Sequence, residues 1–161
     1  MAPSDWSDSV LNVYEKQNVQ LIQKYESLGG KVPFITSSVA GGTQLTGDGF
    51  TITLPSVWNS SNYFINKTEF EDYDCYEFHS KNNFVYGYNG VVFTLYVFAR
   101  PITQDEQMFA NGMEELGNDG INYVFIGEPT DIQSAFDIPA LETEWNQLHD
   151  TYSQIVSSFE M

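Results

Sequence analysis

Hydrophobic and polar positions change their period several times along the chain, and each change marks an element. Between Ser4 and Leu28, the side chains of Leu11, Tyr14, Asn18, Leu21, Ile22, Tyr25 and Leu28 recur at spacings of three and four, the stripe of an amphipathic helix. Gly29-Gly30 supplies its stop. From Lys31 to Gly47 the period is lost, and "TSSVAGGTQLTG", rich in Ser, Thr and Gly, reads as an irregular linker. A period of two begins with "GFTITLPSVW": Phe50, Ile52 and Leu54 alternate against Thr51 and Thr53, which predicts a half-buried strand ending at Pro55.

Further strands are predicted at Tyr63 to Thr68, Tyr73 to Ser80 and Gly90 to Arg100, joined by short polar stretches such as "KNN". Apart from Thr94, "VVFTLYVFA" is apolar on both alternating faces, the mark of a central strand covered on both sides. After Pro101, Thr103 and Glu106 form a capping box for a short helix with Phe109, Met113 and Leu116 on one side, closed by Gly117. Ile121 to Gly127 is a second doubly apolar strand. A last helix is predicted from Leu141, Trp145, Leu148, Tyr152, Ile155 and Phe159, which alternate steps of four and three. The order predicts an α+β fold: an antiparallel sheet flanked by helices over residues 45–161, preceded by a helical extension and linker over residues 1–44.

Composition sharpens this picture through charge. Six Lys and Arg against 22 Asp and Glu give a net charge of −16, which repels nucleic-acid phosphates and anionic lipid heads. The remaining roles for such a surface are solubility, bound cations or a basic protein partner. Cys75 is the one cysteine, so no disulfide forms within the chain. No apolar run reaches the roughly 20 residues that span a bilayer, and "MAPSDWSDS" lacks the basic and apolar regions of a signal peptide.

Chemistry is thinly marked. Glu69, Glu71, Asp72 and Asp74 crowd one turn and supply hard oxygen ligands of the kind that hold calcium, although the register of a calcium loop is missing; a solvated turn is the other reading. Cys75, Glu77 and His79 share one face of a strand, but residues four apart on a strand lie roughly 13–14 Å from each other, too far for a Cys–His dyad. His149 borders the apolar stripe of the last helix beside Trp145. Trp58 is either a packed residue where sheet meets helix or, with Tyr63 and Tyr76, the aromatic wall of a ligand groove. No serine-hydrolase elbow, phosphate loop or Cys/His metal framework occurs, and no cofactor is expected.

Three stretches, "FTITLPSVW", "INYVFIGEPTDIQ" and "ETEWNQLHDTYSQIVSSF", resemble the PsbP-like domain of secreted or lipid-anchored proteins from Gram-positive gut bacteria. The resemblance covers Leu45 to Phe159 and leaves the N-terminal helix without a counterpart. It implies a PsbP-like α/β/α sandwich, with Trp58 packed at the corner leaving the first core strand. For function it implies a non-catalytic binding or adaptor domain outside the cytoplasm, monomeric or weakly dimeric, once tethered by a segment removed from this chain. Two other classes fit the residues: a hydrolase using carboxylates of the Glu69 to Asp74 region or Glu128 and Asp131, and an acidic inhibitor that occupies a basic site on another protein.

Overall fold

The alternation in Thr51–Pro55 sorts side chains as the sequence predicts: Ile52 and Leu54 are fully buried, whereas Thr51 and Thr53 are half-buried on the other face. This strand belongs to a computed structural model that describes residues 32–109 and 113–161, so the expected helix over Ser4 to Leu28 lies outside the described residues. The described chain is α+β, with two antiparallel sheets. The first holds β1 (Ile35–Val39), β2 (Gly42–Thr46) and β3 (Thr51–Pro55) in that order. The second holds β4 (Tyr63–Glu69), β5 (Tyr73–Ser80), β6 (Val91–Phe98), β7 (Glu114–Asn118) and β8 (Tyr123–Gly127), ordered β4-β5-β6-β8-β7. The helices are α1 (Lys81–Val85), α2 (Gln104–Phe109), α3 (Pro139–His149) and α4 (Tyr152–Ser158).

Four expectations are corrected. The segment read as an irregular linker is the β1–β2 hairpin, turning through Ala40 and Gly41, where Gly41 has φ +84°. Every residue of β1 is exposed, so its Ser and Thr side chains carry no buried alternation to betray a strand. The "KNN" link is the start of α1. Leu116, expected on a helix, lies on edge strand β7; Gly117 beside it leaves room for the Phe159 ring, which a Cβ there would meet at 2.8 Å. The last helix is two helices, α3 and α4, broken at Asp150-Thr151.

Both doubly apolar strands take interior positions: β6 is the middle strand and β8 pairs on both edges. One core draws on both sheets and the C-terminal helices, with Leu45, Ile52, Leu54, Ile65, Phe78, Phe93, Leu95, Ile126, Leu148 and Ile155 fully buried. Burying such a side chain contributes about 1.5–3 kcal/mol before entropy. The C-terminus is stitched to the first sheet: Thr51 and Glu160 exchange backbone hydrogen bonds of 2.8 and 3.0 Å, and Thr53 N–H donates to Ser158 Oγ at 2.8 Å. Around Thr103, the capping box forms reciprocally, Thr103 N–H to Glu106 Oε1 at 3.2 Å and Glu106 N–H to Thr103 Oγ1 at 3.3 Å.

Candidate functional site

Strand alternation gives the five-stranded sheet a second, outer face. On β5 it carries Tyr73, Cys75, Glu77 and His79, on β6 Thr94, Tyr96 and Phe98, and on β8 Tyr123, Phe125 and Gly127; these pair across strands as Glu77 with Thr94 and Tyr96 with Phe125. A small apolar cluster of Phe98, Met113 and Phe125, joined by Tyr73, Tyr96 and Ile102, covers one end. That end holds a groove of about 480 Å³ lined by Tyr73, Tyr96, Phe98, Ile102 and Met113, with Asp72, Arg100 and Glu106 at its polar rim.

Tyr96 also lines the next cavity along the same face, of about 170 Å³, together with Glu77, Asn89, Thr94, Glu128, Pro129, Thr130, Asp131 and Gln133. Groove and cavity therefore share one lining residue. The wall from Glu128 onward follows β8 and is fixed by buried Gln133: Val91 N–H donates to its Oε1 at 3.1 Å and Gly90 N–H to its carbonyl at 3.0 Å. Ala135 N–H donates to Asn83 Oδ1 at 2.9 Å, anchoring the far side of the loop to α1. A third hollow of about 340 Å³ shares Gly127 to Thr130 and adds Glu114 and Tyr152. None of the described residues lining these last two hollows is Lys or Arg.

The titratable groups here are held in different states by their surroundings. His79 is buried between Phe64, stacked at 4.7 Å, and Phe84, edge-on at 5.6 Å; its Nδ1 meets the Asn89 carbonyl at 2.6 Å, while Nε2 has no partner and stands 4.0 Å from Glu77 Oε1. Burial pulls its pKa below the ordinary value, so the ring is neutral at physiological pH. Burial, reinforced by Glu77, pushes the Cys75 thiol up to about 11, the opposite of an activated nucleophile. The Tyr96 hydroxyl is raised chiefly by burial, and that of Tyr152 by burial and then by Glu114 and Glu128. His149 hydrogen-bonds Glu128 Oε2 at 2.8 Å and stacks between Trp145 at 4.6 Å and Tyr152 at 6.0 Å.

Of the two readings of Trp58, the packed residue is the one the structure shows, and the alternative aromatic wall of Trp58, Tyr63 and Tyr76 does not line these hollows. Trp58 is 3% exposed and lies edge-on to Tyr63, Phe78 and Phe93 in the core; Tyr76 is buried against Phe34, and Tyr63 is half-buried on Trp58. The expected calcium turn is also dispersed. Glu69 and Asp74 flank Lys67 at 3.1 and 4.0 Å, Asp72 pairs with Arg100 at 2.9 Å, and Glu71 is exposed. Among the described residues no three His, Cys, Asp or Glu gather in a way that could hold a metal ion. Arg100 also grips Glu106 at 2.7 Å, which holds that carboxyl down at about 2.

Glu128 and Asp131, by contrast, do come together with Glu77 around one cavity. Sequence reasoning missed Tyr96, because in "VVFTLYVFA" it reads as one more apolar strand position; its signal is the alternation Thr94, Tyr96, Phe98 opposite Val97 and Leu95. Comparison of the chain with protein-family models, with curated proteins and with solved structures finds no match in any of the three.

Proposed function

We propose that this chain is a non-catalytic binding domain of the PsbP-like type, acting outside the cytoplasm, with its ligand on the outer face of the five-stranded sheet. The observation that carries the binding reading is that the aromatic groove and the polar cavity share Tyr96 as a lining residue on one face of the sheet. Apolar lining with a few converging polar groups is the usual build of a small-molecule site. The inert Cys75 thiol supports binding over thiol catalysis. The PsbP-like and extracytoplasmic parts rest on the three resembling stretches, which form β3 and its exit, β8 with the loop beyond it, and the helices α3 and α4.

A screen of small apolar and amphipathic compounds by tyrosine fluorescence and calorimetry tests the site. Tyr96→Ala should weaken any hit about tenfold, roughly 1.4 kcal/mol; hits indifferent to that change would place the site elsewhere. For location, the genomic sequence directly upstream should encode an export signal or lipobox, and a complete cytosolic start would defeat that part. The second reading is carboxylate-dependent hydrolysis, favoured by Glu77, Glu128 and Asp131 lining one cavity. It requires turnover of a generic ester, phosphate or glycoside that Asp131→Asn abolishes.

A further inference from the structure

We infer that the open edge of β1 pairs with the β1 of a second copy of this chain, antiparallel and centred on Ser37, so that the protein self-associates through its three-stranded sheet. This goes beyond the binding reading above, whose groove lies on the other sheet.

The hydrogen-bond ladder fixes which groups of β1 are left open. Thr51 and Thr53 of β3 donate to Glu160 and Ser158 at the C-terminus, so Ile52 and Leu54 turn their backbone groups toward β2. Their partners Leu45 and Thr43 turn toward β3, which leaves Gly42, Gln44 and Thr46 facing β1. Across that pair Ile35, Ser37 and Val39 face β2, and Thr36 and Ser38 point their N–H and C=O groups away from the sheet. All five residues are exposed, and no described residue hydrogen-bonds to that side.

Natural sheets blunt such an edge with charge, proline or a bulge. Strand β7 carries Glu114 and Glu115 and a bulge before Gly117, β4 carries Lys67 and Glu69, and the far side of β3 is closed by the C-terminus. Strand β1 has none of these devices. Its ladder with β2 is regular, and from Val32 to Gly47 no residue is charged, in a chain of net charge −16. Ile35 and Val39 lie on one face of it, 74% and 38% exposed.

Charge selects the occupant. A basic segment finds no carboxylate on this strand to pair with, whereas a second β1 is itself neutral and brings no like charges together along the joint. Its open groups also match. About a two-fold axis at Ser37, Thr36 and Ser38 of one copy exchange N–H···O=C bonds with Ser38 and Thr36 of the other, and Ile35 lies opposite Val39. Each copy contributes one such edge, so the assembly closes at two. Five residues a side make less than a standard interface, which sets the Kd at about 10 μM to 1 mM.

Sedimentation equilibrium on the full chain up to about 1 mM, at low and high sodium chloride, tests this. It should show a reversible monomer–dimer equilibrium, tighter at high salt because screening relieves the repulsion between two acidic bodies. Ser38→Pro removes an outward N–H and none from the ladder with β2; it should weaken the dimer about tenfold or more, as should Ile35→Lys and Val39→Glu. An equimolar mixture of the Ile35→Lys and Val39→Glu proteins should dimerise again, because the register sets Ile35 of one copy opposite Val39 of the other. Ile35 is exposed, so the charge variants remain informative if Ser38→Pro fails to fold. A chain that stays monomeric at high salt, a dimer indifferent to all three changes, or assembly growing beyond the dimer would each overturn the proposal, and a mixture that fails to dimerise would overturn the register. Binding of decalysine by a chain that stays monomeric, lost in Ser38→Pro, would overturn the second copy and assign the edge to a basic partner.

Discussion

Trp58 donates its indole N–H to Thr151 Oγ1 at 2.8 Å, and the same hydroxyl donates onward to the Leu148 carbonyl at 2.6 Å. The relay joins the exit of β3 to the break between α3 and α4. It adds a side-chain donor to a carbonyl at the end of α3 that already accepts the Thr151 N–H at 3.2 Å, and it gives the buried indole the acceptor it requires. Removing either end should therefore cost more than its own contacts.

Thr151→Val keeps the shape but strands a buried N–H, so it should destabilise by about 1–3 kcal/mol, and Trp58→Phe by a similar amount through the lost bond and the smaller ring. The double variant should fall short of their sum, because the two changes remove one interaction. Urea midpoints of the four proteins measure this. Strict additivity would show that the relay contributes nothing.

Gly42 and Gly127 make opposite predictions for the same substitution. A Cβ on Gly42 would sit 2.0 Å from the Leu54 carbonyl oxygen, a backbone atom of the paired strand that cannot step aside. At Gly127 the nearest neighbour is the Tyr96 ring at 3.5 Å, an ordinary contact. Gly42→Ala should lower stability by about 2 kcal/mol or more, whereas Gly127→Ala should stay within about 0.5 kcal/mol. Thermal melts distinguish them directly.

Stability should fall with acid in a way traceable to His79. Its folded pKa lies below the ordinary 6.5 because burial penalises the charged ring. The unfolded chain therefore takes up the proton first as pH falls. The contribution is complete above about 6.5 and is lost progressively below it, with a slope of up to about 1.4 kcal/mol per pH unit. His79→Phe should remove that slope between neutral pH and the range where carboxyls titrate. An unchanged profile in the variant would assign the acid sensitivity to other groups.

Cys75 should be a poor nucleophile. Its thiol, raised from 9.0 to about 11, carries roughly a hundredfold less thiolate at neutral pH than an unperturbed one. Alkylation by iodoacetamide should be slower by about that factor in the native protein and recover its ordinary rate in denaturant. A native rate like that of free cysteine would contradict the burial given for this strand.

Sequence alone determined the elements whose burial is periodic. The alternation of Ile52 and Leu54, the doubly apolar β6 and β8 and the stripe of Leu141, Leu148 and Ile155 were legible because each such residue is buried at the period of its own backbone, in the main core or in one of two smaller apolar clusters. So was the Thr103–Glu106 box, a contact between residues three apart. Unreadable were features fixed by partners distant in sequence. The exposed strand β1 is held by the pairing of its backbone with β2, to which Ser37 and Ser38 add no apolar pattern. At the break in the last helix Thr151 is held by Trp58, 93 positions away. The site followed the same rule: Glu128 and Asp131 were named as carboxylates, but their company with Glu77 and Tyr96 arises only when β8 docks beside β6. Trp58 and Tyr76 face the main core and Tyr96 the outer face; alternation separates the two faces of a strand, and only the layer packed against each decides which one is buried.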